Sequence, residues 1–245
     1  MNFSNLNSIA NYIVENGKGI LAADESNPTC KKRFDTISVE STEENRRDYR
    51  QLLFQAEGMS NNIGGVILFD ETIRQNTNDG TPLVDLIKQK EALPGIKVDK
   101  GLAPFENSDI EKVTLGIEDL DARCAEYFKM GALFTKWRAV ISIGKTLPSQ
   151  GCIEENAKLL ARYAKIVQKN NMVPIVEPEV LMDGSHSIEE CYDATSRTLK
   201  SLFQNLEEEN VDITGTILKP NMVTPGTEHQ DCLLYTSDAA DDLVG

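Results

Sequence analysis

Thr-Ile-Leu-Lys-Pro-Asn, residues 216–221, sets a single lysine at the end of an apolar run. The run reads as a buried strand, so the Lys219 ammonium at its end is expected to lose hydration, which disfavours the charge and frees the amine. A neutral lysine amine is a nucleophile toward carbonyl carbon. Alone, such a lysine reads better as a side chain reaching out to water. What overturns that reading is the company it keeps. Five more runs read as strands, at 19–23, 65–69, 96–98, 133–140 and 173–176, with 216–218 as the sixth. Nearly every one ends in ionisable side chains: Asp24, Asp70, Asp99 with Lys100, Lys136 with Arg138, Glu177 with Glu179, and Lys219.

Between the runs lie helix-period segments. Ser41 with Glu44, and Ser187 with Glu190, read as capping boxes. Residues 117–130, stopping at Gly131, and 152–170 are amphipathic, as is the start around Leu6, Ile9, Ala10 and Ile13. Strands alternating with helices predict a parallel sheet. No Gly-x-Gly-x-x-Gly follows the first strand, which weakens an open dinucleotide-binding sheet. Polar groups gathered at the C-terminal ends of several strands are the mark of a (β/α)8 barrel. The fold expected is therefore α/β, a TIM barrel with about six of eight strand–helix units, over residues 1–230.

Composition narrows the function. The chain has 245 residues, 40% hydrophobic and 26% charged, enough for one large core. A net charge of -14 argues against nucleic acid and against an anionic membrane surface. No run is long enough to span a bilayer, and the first residues lack a signal peptide's pattern. Five dispersed cysteines read as reduced thiols, which favours a cytoplasmic setting. Two histidines leave little for a histidine-based metal site.

Side chains two apart on a strand share a face. Lys136 and Arg138 therefore point together, and so do Glu177 and Glu179. If those faces line the barrel, two cations and two carboxylates meet near Lys219, a cluster too costly to bury for stability alone. Lys136 beside Lys219 is expected to depress one amine by like-charge repulsion. The free amine attacks a ketone, and the iminium draws electrons from an adjacent carbon–carbon bond. Glu177 or Asp24 then takes the hydroxyl proton of the departing carbon, with Glu179 holding the lysines in place. Lys32, Arg33, Lys100 and Arg138 would face a phosphorylated substrate.

Long motifs carry a resemblance. Gly-Lys-Gly-Ile-Leu-Ala-Ala-Asp-Glu-Ser (17–26), Thr-Glu-Glu-Asn-Arg-Arg (42–47), Lys-Val-Asp-Lys-Gly (97–101), Phe-Thr-Lys-Trp-Arg (134–138), Val-Pro-Ile-Val-Glu-Pro-Glu (173–179) and Leu-Lys-Pro-Asn-Met-Val-Thr-Pro-Gly (218–226) resemble class I fructose-bisphosphate aldolase. The likeness runs in order from about residue 3 to 226. It implies that Lys219 is the Schiff-base lysine and Glu177 the general acid/base, and that Asp24 assists cleavage between the third and fourth carbons. Lys136 and Glu179 match charged supporting residues. Lys100 and Arg138 match substrate-side cations, and Lys32 with Arg33 match a basic pair at one phosphate site. The family implies a metal-free, cofactor-free lyase, usually a cytoplasmic homotetramer. It cleaves fructose 1,6-bisphosphate reversibly to dihydroxyacetone phosphate and glyceraldehyde 3-phosphate in glycolysis and gluconeogenesis. A non-catalytic aldolase-like scaffold is the alternative.

The chain departs from the family in several places. Asn27-Pro28-Thr29 replaces a Thr-Gly-Ser type turn and is expected to stiffen a loop. Thr214 stands where glutamate is common. Nothing matches the family's last two strands, their Ser-Gly-Gly phosphate loop or the terminal tyrosine. Residues 231–245 read as a non-native, disordered read-through tail, and the chain as it stands is expected to be inactive.

Overall fold

The computed structural model describes residues 3–230 and 232; the expected tail, apart from Cys232, lies outside the described residues. Helix α1 (Leu6–Val14) starts at a capping box in which Asn5 and Ser8 exchange side-chain and backbone hydrogen bonds. Strand β1 (Gly19–Ala23) leads into α2 (Asn27–Asp35), and Pro28 sits in that helix's first turn. The expected stiff loop is thus a helix start, where proline's missing N–H costs nothing.

Thr42, not Ser41, caps α3 (Glu43–Gln55), accepting from the Asn45 amide. Ser41 instead accepts from the buried Arg46. Short α4 (Met59–Asn62) precedes β2 (Ile63–Leu68), followed by α5 (Asp70–Ile73), α6 (Leu83–Gln89) and β3 (Leu93–Lys97). An antiparallel hairpin then intervenes, β4 (Leu102–Pro104) with β5 (Lys112–Thr114), which the helix–strand alternation did not predict.

Helix α7 (Leu120–Lys129) ends where Gly131 takes φ 102°, a left-handed geometry that favours glycine. Strand β6 (Phe134–Ile141), α8 (Gln150–Lys169), β7 (Val173–Val180), α9 (Ile188–Glu208) and β8 (Ile217–Leu218) complete the order. The expected capping box of Ser187 and Glu190 opens α9.

Six strands form one parallel sheet in the order β1-β2-β3-β6-β7-β8, a curled part of a (β/α)8 barrel. The period-two alternation separates its faces. On the outer face Val66, Leu68, Trp137 and Val176 pack against α6, α7 and α8 through Ile87, Tyr127, Leu160 and Ala164. The inner face has two levels. Its lower level is apolar: Ile67, Leu93, Phe134, Val173 and Ile175, closed from below by Ile9, Ala10 and Ile13 of α1. Two residues beyond Gly95, Phe134, Ile175 and Ile217 on their strands stand Lys97, Lys136, Glu177 and Lys219. The apolar floor fixes the strands, and their next inward positions carry the charges. No described helix is long and apolar enough to cross a membrane.

Candidate active site

Lys219 follows directly on β8, and its amide donates to the Val176 carbonyl at 2.9 Å, which ties it to β7. Its Nζ contacts Glu177 Oε1. The other oxygen of Glu177 lies 3.2 Å from Lys136 Nζ. Lys136 donates in turn to Asp24 Oδ2 at 2.9 Å, just past β1. Four residues from four strands thus form one line of contacts, Lys219–Glu177–Lys136–Asp24, brought together across up to 195 positions of sequence.

Three expectations need correction. First, β8 is two half-buried residues and the Lys219 side chain is 52% exposed, so burial does not desolvate this amine. Second, Lys136 does not face Lys219 as a bare like charge, because the Glu177 carboxylate lies between them. Lys136 is itself pulled down by burial. Asp24, Glu177 and Asp99 outweigh that pull and hold its pKa above 10.5, keeping it cationic. Third, Glu179 does not hold the lysines; it accepts from Arg138 Nε, which lies diagonally across from it on β6. Glu177, the only one of the two deeply buried, performs that task.

A cavity of about 990 Å³ opens at the Asp24–Lys136 end of this line, lined by Asp24, Arg33, Lys100, Lys136 and Arg138 among others, while Lys219, Glu177 and Glu179 lie outside its lining. Arg33 is bonded to Glu25, Lys100 to Asp119, and Arg138 to Glu179. Lys100 and Arg123 hold the Asp119 carboxyl down at about 2. The expected phosphate-side cations are therefore neutralised at the rim, and an anion would exchange with carboxylates for them. Such half-exposed pairs are weak and readily exchanged. Lys32 is exposed and does not line the cavity. Among the described residues no group of three or more His, Cys, Asp or Glu side chains is placed to hold a metal ion.

Residues not singled out from sequence also frame the site. Lys97 bonds Asp99 on the cavity wall. Tyr127 donates to Asp70 at 2.8 Å, and Arg74 bonds Asp70 and Glu126. Behind Asp24 stand two buried arginines of α3, of which Arg50 holds the turn after β1. Arg46 makes paired bonds of 2.8 and 2.6 Å to Glu71, and Arg50 reaches the main chain. Arginines at four-residue spacing where a helix should turn its apolar stripe inward were the available signal.

Fold and site together define an α/β-barrel protein with a lysine–carboxylate line at the C-terminal ends of its strands. The profile of the family described as fructose-bisphosphate aldolase class-I matches residues 5–240, and this chain belongs to that family. A probable fructose-bisphosphate aldolase class 1 of Xanthomonas campestris pv. campestris is 52% identical over 226 residues, 92% of this chain and 68% of that protein. Fructose-bisphosphate aldolase 5, cytosolic, of Arabidopsis thaliana is 53% identical over 89% of this chain and 61% of its own length. Among solved structures, fructose-bisphosphate aldolase from Plasmodium falciparum in complex with TRAP and a small-molecule inhibitor superposes with a TM-score of 0.90 at 51% identity. That match covers 92% of this chain and 65% of the Plasmodium chain. The chain thus spans roughly two thirds of these relatives' length.

Proposed function

We propose that Lys219 forms an imine with the ketone of fructose 1,6-bisphosphate and that the family's reversible cleavage runs at this site. Glu177, in contact with the lysine, takes the ammonium proton and frees the amine. The amine adds to the ketone carbon and one of its protons passes to the oxygen; Glu177 returns the proton it took, and that oxygen leaves as water with the iminium formed. Asp24 takes the proton of the hydroxyl on the fourth carbon. The bond between the third and fourth carbons breaks, its electron pair passes into the iminium as an enamine, and glyceraldehyde 3-phosphate leaves. Protonation of the enamine and addition of water then release dihydroxyacetone phosphate and restore Lys219. Lys136 stays charged throughout and holds the two carboxylates apart, with Glu179 orienting Arg138. Arg33, Lys100 and Arg138, with Lys32 outside, receive the phosphates by exchanging their carboxylate partners.

The observation supporting this reading is the line of contacts from Lys219 through Glu177 and Lys136 to Asp24. A binding scaffold has no use for that set. Borohydride added with dihydroxyacetone phosphate is expected to fix the triose to Lys219, read by peptide mass spectrometry. Labelling at another lysine, or none, sinks the proposal. Trapping undiminished by chelators is the expected sign of metal-free chemistry.

Among the described residues β1 and β8 are the two edges of the sheet. The 245-residue chain alone is therefore expected to form the imine but to turn over poorly, and a coupled triose assay checks this. A cytoplasmic homotetramer is the assembly proposed for the protein, testable by sedimentation.

A further inference from the structure

On α3 the positions Arg46, Arg50 and Phe54 follow at four-residue spacing and all are buried. Arg50 is 0% exposed. Its Nε donates to the Ala23 carbonyl at 3.2 Å and its Nη2 to the Glu25 carbonyl at 2.6 Å. Those two carbonyls flank Asp24. The carboxylates nearby stand off: Glu25 Oε2 is 3.9 Å from Nη2, and Glu71 Oε1 is 3.8 Å from Nη1. Nη1 has no hydrogen-bond partner among the described residues.

A buried guanidinium costs several kcal/mol of hydration, and well-packed apolar residues often serve stability as well or better. What an apolar residue lacks is the rigid, planar fork. Here one donor meets the carbonyl of the residue before Asp24 and another that of the residue after it, so the Ala23–Asp24 and Glu25–Ser26 peptides are tied to one flat group. With the chain clamped on both sides, the backbone at Asp24 has little room to turn, and the direction of its side chain is limited with it. Its carboxylate points to Lys136, into the cavity wall.

We infer that Arg50 is a positioning residue for Asp24, clamping the turn at Ala23 and Glu25 on either side of it so that the carboxylate stays against Lys136. Its consequence for catalysis rests on the aldolase reading above. Arg50 touches neither the cavity nor the reacting atoms; it acts only through the turn. Lysine at this position keeps the charge but cannot span both carbonyls, and methionine removes both bonds.

The test compares Arg50→Lys, Arg50→Met and Asp24→Asn in the 245-residue chain. Imine formation is read by borohydride trapping of dihydroxyacetone phosphate on Lys219. Cleavage is read as single-turnover release of glyceraldehyde 3-phosphate from fructose 1,6-bisphosphate. Both Arg50 variants are expected to trap within about threefold of the unaltered chain but to release the aldehyde about 100-fold more slowly, the scale of a misplaced catalytic group. Asp24→Asn combined with Arg50→Met should lose no more than Asp24→Asn alone. A fall in trapping and release together, matching a fall in folded fraction by circular dichroism, overturns the inference.

A second measurement does not depend on the reaction. After reductive ¹³C-methylation, the Lys136 resonance is expected to titrate at lower pH in Arg50→Lys than in the unaltered chain, as in Asp24→Asn. An unmoved Lys136 titration overturns the positioning role. If the unaltered chain traps no triose, the aldolase reading fails, and the Lys136 titration still decides Arg50.

Discussion

Glu177 sets Oε1 against Lys219 Nζ while its Oε2 lies 3.2 Å from Lys136 Nζ. One carboxylate thus faces a half-exposed amine on one side and a buried ammonium on the other. The asymmetry assigns the mobile proton to the Lys219 side, because Lys136 is pinned as a cation by Asp24 as well. Glu177→Gln keeps the shape and removes the base. Borohydride trapping at Lys219 is expected to slow by about 10²–10⁴-fold, the usual worth of a positioned acid–base group. Trapping at the unaltered rate would remove Glu177 from the mechanism.

Lys136 ties stability to alkaline pH. Its folded pKa lies above 10.5 because, despite burial, Asp24, Glu177 and Asp99 favour the ammonium. A raised folded value means that its contribution is complete below the unfolded value near 10.5 and is lost as pH rises through the higher folded one. Urea midpoints should therefore fall above pH 10.5. Lys136→Met leaves the partly buried Asp24 carboxylate without its cation and Glu177 with Lys219 alone, and should cost about 3 kcal/mol at pH 7. The variant should also lose stability less steeply above pH 10.5; an alkaline slope equal to that of the unaltered chain would contradict the pairing.

The site was legible in sequence as far as period-two geometry reaches. Lys136 with Arg138, and Glu177 with Glu179, share faces because strands alternate, whatever the tertiary packing. Which oxygen meets which nitrogen is a different matter. The stagger of β6 against β7 sets Val140, not a lysine, opposite Glu179, so its carboxylate finds Arg138. The partners of Arg50 were hidden for a similar reason: its place on the buried stripe of α3 shows in the spacing, but its acceptors are main-chain carbonyls 25 and 27 residues away, and no side-chain pattern marks them. Ser41 and Thr42 both suit an N-cap, and local chain direction chose Thr42. The hairpin β4–β5 escaped because two three-residue strands are too short for alternation to register.

Tyr127 makes a separate alkaline prediction. Burial, together with its hydrogen bond to Asp70, pushes the phenol up to about 12. The same bond, with those from Arg74, overcomes burial and lowers Asp70. The tyrosine contribution is full below pH 10 and is lost between pH 10 and about 12. Tyr127→Phe keeps the ring against the Arg74 guanidinium, 5.9 Å from its centroid. The variant should show one tyrosinate fewer among those forming above pH 11 in absorbance near 295 nm. Loss of an early-titrating tyrosine instead would show that the Asp70 bond does not hold the phenol.

The apolar floor beneath the charged line depends on a ring and two glycines. Phe134 of β6 lies flat across the inner face where β2 and β3 carry Gly65 and Gly95. A Cβ on Gly65 would meet the ring edge at 2.9 Å, and one on Gly95 would come within 2.3 Å of two ring carbons. The ring cannot move aside, since Ile13, Leu93 and Val173 pack around it. Gly95→Ala is therefore expected to cost about 3 kcal/mol by urea denaturation, the upper range of overpacking. Phe134→Leu alone removes buried volume and should cost about 1–3 kcal/mol. Combined, the two should cost at least about 1 kcal/mol less than their sum, because the smaller side chain makes room for the methyl group. Strict additivity would mean that Gly95 is kept for backbone reasons and that the ring does not define this level of the barrel.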